Sequence, residues 1–388
     1  MYHTFFAQIS TAIFQFFLVF FILRNEGLEA LGFYGLFVSI LNPIQQFFKF
    51  GIPKLINTSE NIATQRRYLI ISLHALILFL LVGSISIFFI KGNEYLELFL
   101  SLLFFKSLIN FRETQHSIYT RNKMFKFFFQ SSFYCNLLLV LLFWIVHYST
   151  KSLSISFIVS TLIVLIFIFF DGIKIRKITC LGLREVFNIY LFKKHYLVLM
   201  KMSFANFIFN LKSNLPRYIL ATNFSINLVG IYTAIFQAIS VLEIVNQSLL
   251  KFNYARLTEF YYNNIDKFKK IEKRIYFYTT IITAVSLIVN YFIGELLLEV
   301  FFGLEFKNYL TILLILIIDR YFAMINSIPK TIFILKNKIQ YNILSTSIVL
   351  IISFLCLIKI EDFLLFNIVL VILSGFQFLT NKFILNKI

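Results

Sequence analysis

Apolar runs of membrane-spanning length recur along the whole chain, separated by short polar and basic segments. A helix that crosses a bilayer needs about 20 mostly apolar residues. Counted in this way, the sequence predicts twelve spans, numbered in chain order: Tyr2–Leu23, Leu31–Phe50, Tyr68–Ile90, Leu96–Phe111, Phe127–His147, Leu153–Phe170, Tyr196–Ala221, Leu228–Leu250, Tyr276–Ile293, Tyr309–Leu335, Tyr341–Ile358 and Phe363–Leu385.

Basic residues are concentrated in every second connection between these spans. If the N-terminus is cytoplasmic, the segments that follow even-numbered spans hold most of the 36 Lys and Arg residues. Basic residues of membrane proteins accumulate on the cytoplasmic side. We therefore predict that both termini are cytoplasmic. The connections on the opposite side hold Arg24, Lys91, Lys151, Lys307 and Lys359.

The composition agrees with an all-α polytopic membrane protein. Hydrophobic residues make up 59% of the 388 residues and charged residues only 14%, against roughly 25% charged in a typical soluble domain. The net charge of +18 follows from the topology, because the basic clusters alternate with spans. We therefore expect contact with anionic membrane lipids and no binding of nucleic acid.

The spans divide into two sets of six, which predicts an N-terminal bundle (1–170), a basic cytoplasmic linker (171–195) and a C-terminal bundle (196–388). A short repeat supports this division. Gly32-Phe33-Tyr34 opens the second span, and Gly230-Ile231-Tyr232 opens the eighth, which is the second of its half. Transporters commonly place the substrate site between such halves.

Polar side chains follow one face of several spans, at the offsets of three, four and seven residues that share a helix face. Such residues can simply join helices by hydrogen bonds, or they can line a cleft. The first, second, seventh, eighth and tenth spans carry them, namely Gln8, Thr11 and Gln15; Asn42, Gln45 and Lys49; Ser203, Asn206, Asn210, Asn214 and Arg217; Thr233, Gln237, Ser240, Glu243 and Gln247; and Asp319, Asn326 and Lys330, with Arg320 beside them.

Charged residues inside spans are costly and normally face a cavity or a partner. Arg217 is the clearest case. Asp319 and Arg320 are adjacent and allow a local ion pair as the alternative. Lys49 and Arg24 lie near span ends, so each can instead reach the membrane interface.

Lys212 and Arg217 lie in the same apolar run but do not share a helix face. Five residues separate them by about 140° on an ideal helix, so Lys212 lies off the polar stripe. Pro216 is expected to kink or break the helix between them, which would allow the two charges to meet.

The polar faces of the first, second, seventh and eighth spans would line a mainly positive cleft, with Glu243 as the exception. A cleft of that sign is suited to an anionic ligand, and to phosphate in particular, because Arg and Lys bind phosphate oxygens.

Two stretches resemble a known family: GFYGLFVSILNPIQQFFKFGIPKLI (Gly32–Ile56) and NLPRYILATNFSINLVGIYTAIFQAISVLEIVNQSL (Asn214–Leu249). They are similar to the Wzx-type polysaccharide flippases of the multidrug/oligosaccharidyl-lipid/polysaccharide (MOP) exporter superfamily. The resemblance implies a V-shaped, MATE-like pair of six-helix bundles in the bacterial inner membrane. It also implies a cargo of undecaprenyl-pyrophosphate-linked oligosaccharide, flipped to the outer leaflet by alternating access for O-antigen or capsule assembly.

The resemblance also suggests roles for the polar residues. Arg217, with Lys49 and Arg24, matches the cavity cations of the family, and Lys212 and Arg320 are candidates to assist in binding pyrophosphate. Glu243 and Asp319 are candidates for a coupling Na⁺ or proton, and a polysaccharide polymerase and a chain-length regulator are expected partners. Amides that would bind sugar hydroxyls are Gln8, Asn42, Gln45, Asn210, Asn214 and Gln237.

Two other functions fit the sequence less well. An ion-coupled exporter of drugs or small molecules would need an acidic cleft, and the charges here are mainly basic. A membrane-embedded polymerase or transferase would need a catalytic set, and the five histidines form no pair with a carboxylate. The sequence therefore predicts a transporter without a cofactor or metal, and not an enzyme.

Overall fold

The computed structural model describes residues 2–58, 62–89, 95–179, 190–336 and 338–387. These residues form helices and no strand. Two short 3-10 helices cover Ser86–Phe89 and Leu304–Tyr309. The α-helices are α1 (Tyr2–Phe48), α2 (Ile52–Thr58), α3 (Ile62–Ile85), α4 (Leu96–Arg121), α5 (Phe125–Thr150), α6 (Leu153–Thr179), α7 (Tyr190–Asn223), α8 (Ile226–Asn263), α9 (Ile265–Phe302), α10 (Leu310–Ile325), α11 (Ser327–Leu335), α12 (Ile339–Leu357) and α13 (Phe363–Lys387).

The chain is a multi-pass membrane protein of the all-α class, as predicted. Within the described ranges, nine helical stretches are long and apolar enough to cross a membrane. One of them, Phe5–Phe48, covers the first and second predicted spans. The fourth and seventh predicted spans coincide with α4 and α7, which are less apolar than the other long helices and do not meet the same criterion.

A backbone break at Gly27 separates the first two predicted spans. An unbroken helix of 47 residues would be about 70 Å long, more than twice the thickness of the hydrocarbon core. Gly27 has φ 85° and ψ −175°, a conformation that glycine adopts readily and that residues with a Cβ rarely adopt. The sequence therefore ends the first span with a glycine that reorients the chain before the second.

The tenth predicted span, Tyr309–Leu335, is not one helix. It consists of a 3-10 turn, α10 and α11, with Asn326 between the two α-helices. Pro329 explains the break, because proline has no N–H with which to bond the carbonyl of Ile325, four residues earlier. The proline then occupies the first turn of α11, where the missing donor costs nothing.

Pro216 does not break the seventh span. The helix α7 continues through this proline from Tyr190 to Asn223, so the expected break is wrong, and the alternative of a kink remains a prediction. Prolines are tolerated in membrane helices because neighbouring groups and small adjustments satisfy the carbonyl that loses its donor. The freed carbonyl here is that of Lys212, four residues before the proline.

Packing divides the chain into two compact units. Unit 1 comprises Met1–Leu18 and Phe33–Asn214. Within it, α4 packs against α2, α3 and α6, and α5 packs against α6. The ends of the predicted linker 171–195 belong to α6 and α7, and its residues 180–189 lie outside the described residues. The predicted bundle boundaries remain a prediction.

Unit 2 comprises Val19–Gly32 and Leu215–Ile388. Within it, α10 packs against α8, α9 and α13, and α12 packs against α13. The helix α10 is thus surrounded by three others, and its buried positions include Leu316, Ile317 and Asp319. A carboxylate at such a position requires partners from the neighbouring helices.

The repeated glycines lie at a close helix crossing inside unit 2. A Cβ atom added to Gly32 would overlap the carbonyl oxygen of Ile226, and one added to Gly230 would overlap that of Leu28. Only glycine allows two helix backbones to approach this closely. The glycine of each repeated tripeptide therefore serves the contact between α1 and α8.

Candidate functional site

Arg217 is a buried cation held by one turn of α8. The residue is only 7% exposed, and its Nε donates to Oγ1 of Thr233 at 3.1 Å. Its guanidinium carbon lies 4.8 Å from the ring centre of Phe236 and 5.6 Å from that of Tyr232. These contacts hold the side chain of Arg217 against α8.

Arg320 of α10 is bound by two carboxylates. Its Nη1 donates to Oε1 of Glu243 at 2.7 Å, while its Nη2 and Nε donate to Oδ2 of Asp319 at 2.7 and 3.1 Å. The other oxygen of Asp319 accepts a hydrogen bond from Ser374 of α13 at 2.6 Å. The local ion pair that the sequence allowed is therefore present, and it is extended by Glu243 from α8.

The ring of Phe236 connects the two arginines. The guanidinium carbon of Arg320 lies 4.4 Å from the ring centre that Arg217 approaches at 4.8 Å. Such cation–π contacts stabilise a cation by about 0.5 to 2 kcal/mol, depending on solvation. We call Arg217, Arg320, Asp319, Glu243 and Phe236 the arginine cluster.

The two carboxylates of the arginine cluster differ in how firmly they are held. The side chain of Asp319 is 5% exposed and that of Glu243 is 27% exposed. Asp319 is bonded on both oxygens, and it shares two bonds with the guanidinium. Glu243 is therefore the carboxylate that an incoming anion would replace at the lower cost. Guanidinium groups bind phosphate and carboxylate oxygens in pairs, so this chemistry suits an anionic ligand.

Three predicted site residues of the second span contact α4 in unit 1. Asn42 accepts a hydrogen bond from Nζ of Lys106 at 2.7 Å, and Gln45 donates to the carbonyl of Lys106 at 2.8 Å. Lys49 forms an ion pair with Glu113. The predicted polar stripe of this span thus meets a cation and an anion of α4 that the sequence analysis did not select.

The predicted amides of α7 and α8 bond mainly within their own helices. Asn210 donates to the carbonyl of Asn206 at 2.9 Å, and Asn214 donates to that of Asn210 at 2.8 Å. Gln237 donates to the hydroxyl of Ser240 at 3.1 Å. The sugar-binding role of these amides remains a prediction.

The remaining predicted cations and Gln8 have other surroundings. Arg24 donates to the carbonyl of Val300 at 2.8 Å and lies 5.7 Å from the ring centre of Phe20, so it lies at the C-terminal end of α9. Gln8 and Lys212 are half-buried in unit 1. The cleft predicted from four spans remains a prediction, because those spans are divided between the two units.

A buried network in unit 1 was missed by the sequence analysis. Oδ2 of Asp171 accepts from Ser131 at 2.7 Å, and Oδ1 accepts from Tyr119 at 3.0 Å. Nε of Arg112 lies 3.7 Å from Asp171, and Nε2 of His116 lies 3.8 Å away, so the expectation that no histidine pairs with a carboxylate is wrong. Arg112 and Asp171 had both been assigned to predicted cytoplasmic connections. One signal was available, since Asp171 is the only acidic residue of α6 and directly follows an apolar run.

No protein family model matches the chain. Solved structures give a clear answer on the fold. An outward-facing MATE family multidrug transporter of the MOP superfamily matches with a TM-score of 0.71 and 12% identity, over 99% of this chain and 94% of that one. The chain has the fold of the MATE transporters.

Two further structures agree with this fold. The Vibrio cholerae MATE transporter VcmN matches with a TM-score of 0.66 and 14% identity, over 100% of this chain and 95% of that one. A MOP superfamily transporter from Pyrococcus furiosus, described as having a binding pocket of reverse polarity, matches with a TM-score of 0.65 and 12% identity, over 98% and 92%.

One curated relative is similar in sequence. The capsular polysaccharide biosynthesis protein CapF from Staphylococcus aureus is 25% identical over 342 residues, which is 88% of this chain and 86% of that protein. The similarity thus extends over most of both chains and is not limited to one motif.

Proposed function

We propose that the protein is a flippase that moves an undecaprenyl-pyrophosphate-linked oligosaccharide from the cytoplasmic to the outer leaflet by alternating access. The observation that carries this proposal is the arginine cluster, a pair of guanidinium groups embedded in a transporter fold. The capsular role of the relative supports a surface polysaccharide precursor as the cargo, and the fold supports membrane export.

The energetics favour an anionic cargo. Each Arg at the centre of a membrane helix costs about 2.5 to 3.5 kcal/mol or more, so two of them beside the one ring of Phe236 call for a compensating role. Arg320 is compensated by two carboxylates, and the contacts of Arg217 include a hydroxyl and aromatic rings. A pyrophosphate would add negative charge beside both guanidinium groups.

The membrane potential would act in the same direction. Moving one negative charge outward across an inside-negative membrane releases about 2.3 kcal/mol per 100 mV. A coupling proton or Na⁺ at Glu243 or Asp319 would loosen their bonds to Arg320 and expose it to the cargo.

Export of cationic drugs is the second candidate, and the solved MATE structures favour it. A cationic drug would need free acidic groups. Both acids of the arginine cluster are bonded to Arg320, so such a drug would have to displace a guanidinium from each. We therefore place the anionic cargo first.

Reconstitution in liposomes would test the proposal. We expect the wild-type protein to transfer a lipid-linked oligosaccharide between leaflets. In Arg217→Ala the rate should fall about tenfold to a hundredfold, because that is the effect of losing one hydrogen bond to a charged group. Arg274→Ala, at an exposed position of α9, is the matched control and should transfer normally. Wild-type transfer of a drug cation, with none of the oligosaccharide lipid, would refute the proposal.

A further inference from the structure

An apolar groove runs along the surface of unit 2 between α12 and α13. It encloses about 420 Å³ and its walls include Leu344, Ile348, Phe376, Leu379 and Phe383. All five side chains are exposed. In a membrane protein such a surface faces lipid, so the groove is a recess in the lipid-facing wall and not a defect in the core.

Buried hydrogen bonds connect the two helices that form the groove. Ser345 donates to Oδ1 of Asn381 at 2.5 Å, and Gln377 donates to Oγ1 of Thr346 at 3.0 Å. Asn381 in turn donates to Asn326 at 2.8 Å. These bonds fix the distance between α12 and α13, so the groove is preformed, which lowers the cost of filling it.

The same bonds show that α12 and α13 are antiparallel, because position 345 pairs with 381 while 346 pairs with 377. The beginning of α12 and the end of α13 therefore lie at one end of the groove. Both carry a lysine there. Lys387 lies with Nζ 4.4 Å from the ring centre of Phe383, a wall residue, and Nζ of Lys338 lies 6.0 Å from that of Tyr341.

We propose that this groove binds one acyl chain of an anionic phospholipid, with the phosphate bound by Lys338 and Lys387. Along α13 the walls extend from Phe376 to Ile384, a length of about 12 Å. A groove of this length accommodates much of one acyl chain but only a small part of a polyprenol. The charge at one end and the apolar walls beyond it match the two parts of such a lipid. The site is independent of the cargo proposed above.

Native mass spectrometry of the purified protein tests this site with phosphatidylglycerol and phosphatidylcholine of identical acyl chains. A lysine near an anionic lipid surface changes affinity about fivefold, so two should favour phosphatidylglycerol by about 25-fold. The double variant Lys338→Gln/Lys387→Gln should lose this preference, and Lys359→Gln, at the opposite end of α12, should keep it. Equal binding of both lipids to the wild-type protein would overturn the proposal.

The groove itself is tested by filling it. Ile348→Trp should weaken the binding of both lipids at least tenfold, whereas Ile351→Trp, on the same helix and outside the groove, should bind like the wild type. If the two variants behave alike, the acyl chain lies elsewhere. In another outcome, undecaprenyl phosphate displaces phosphatidylglycerol and loses its own binding in Ile348→Trp. That result would show that the groove binds a polyprenol and would overturn the proposal. A dimer that excludes lipid from the groove would replace it with a second copy of the chain.

Discussion

The Glu243→Gln substitution tests whether the arginine cluster is an anion site that Glu243 occupies in the absence of cargo. The amide keeps the size of the side chain and removes its charge. Arg320 would retain Asp319, which accepts two of its hydrogen bonds at 2.7 and 3.1 Å. The guanidinium therefore stays compensated, and we expect the protein to fold.

The magnitude follows from the exposure of the pair. An exposed ion pair contributes at most about 1 kcal/mol, and a hydrogen bond to a charged group contributes about 1.5 to 3 kcal/mol. The side chains of Arg320 and Glu243 are 12% and 27% exposed, which places their interaction between these limits, at about 1 to 2 kcal/mol. An anion no longer has to displace this carboxylate, so its affinity should rise about 5- to 30-fold.

Isothermal titration of the purified protein with inorganic pyrophosphate measures this change. Glu295→Gln is the matched control, because Glu295 pairs with Lys307 at 3.9 Å and both side chains are 53% exposed. That variant should bind pyrophosphate like the wild type. Unchanged or weaker binding by a folded Glu243→Gln protein would refute the idea that Glu243 occupies an anion site.

Two further predictions concern stability and are measured by thermal unfolding in detergent. Asp171→Asn should destabilise unit 1 by about 3 to 5 kcal/mol, because it leaves the buried guanidinium of α4 without its carboxylate, whereas Asp266→Asn at an exposed position should have little effect. Gly32→Ala should destabilise unit 2 by about 1 to 3 kcal/mol, because its Cβ would overlap a carbonyl oxygen of the backbone. Gly172→Ala, whose Cβ would meet only a side-chain nitrogen at 3.7 Å, should instead stabilise the helix by about 0.5 to 1 kcal/mol. Equal effects of the two members of either pair would contradict the corresponding reasoning.

Much of the fold could be predicted from hydropathy alone. In a bilayer each spanning segment must satisfy its own backbone groups, so a long apolar run specifies a helix without reference to its neighbours. Gly32 and Gly230 were recognised only as a repeat and Gly27 was not selected, because the close crossing of α1 with α8 and the turn at Gly27 appear only in the folded structure. The helical period also placed Asn42, Gln45 and Lys49 on one face.

The partners of these residues could not be predicted, because periodicity describes one helix and does not say which helix lies opposite. Glu243 and Arg320 are 77 positions apart, and only the packing of α8 against α10 brings them together. Asp171 of α6 likewise meets its partners on α4 and α5 only in the folded structure. Phe236 is an apolar residue, so no search for polar stripes would select it.

The sequence by itself therefore determined the class of protein, the helices and the faces that carry polar groups, because these depend on properties of each segment in a membrane. The tertiary structure decided which groups each charge meets. Arg320 meets two carboxylates and the ring of Phe236, which Arg217 also contacts, because a charge inside a membrane is stabilised by whichever groups the neighbouring helices bring to it.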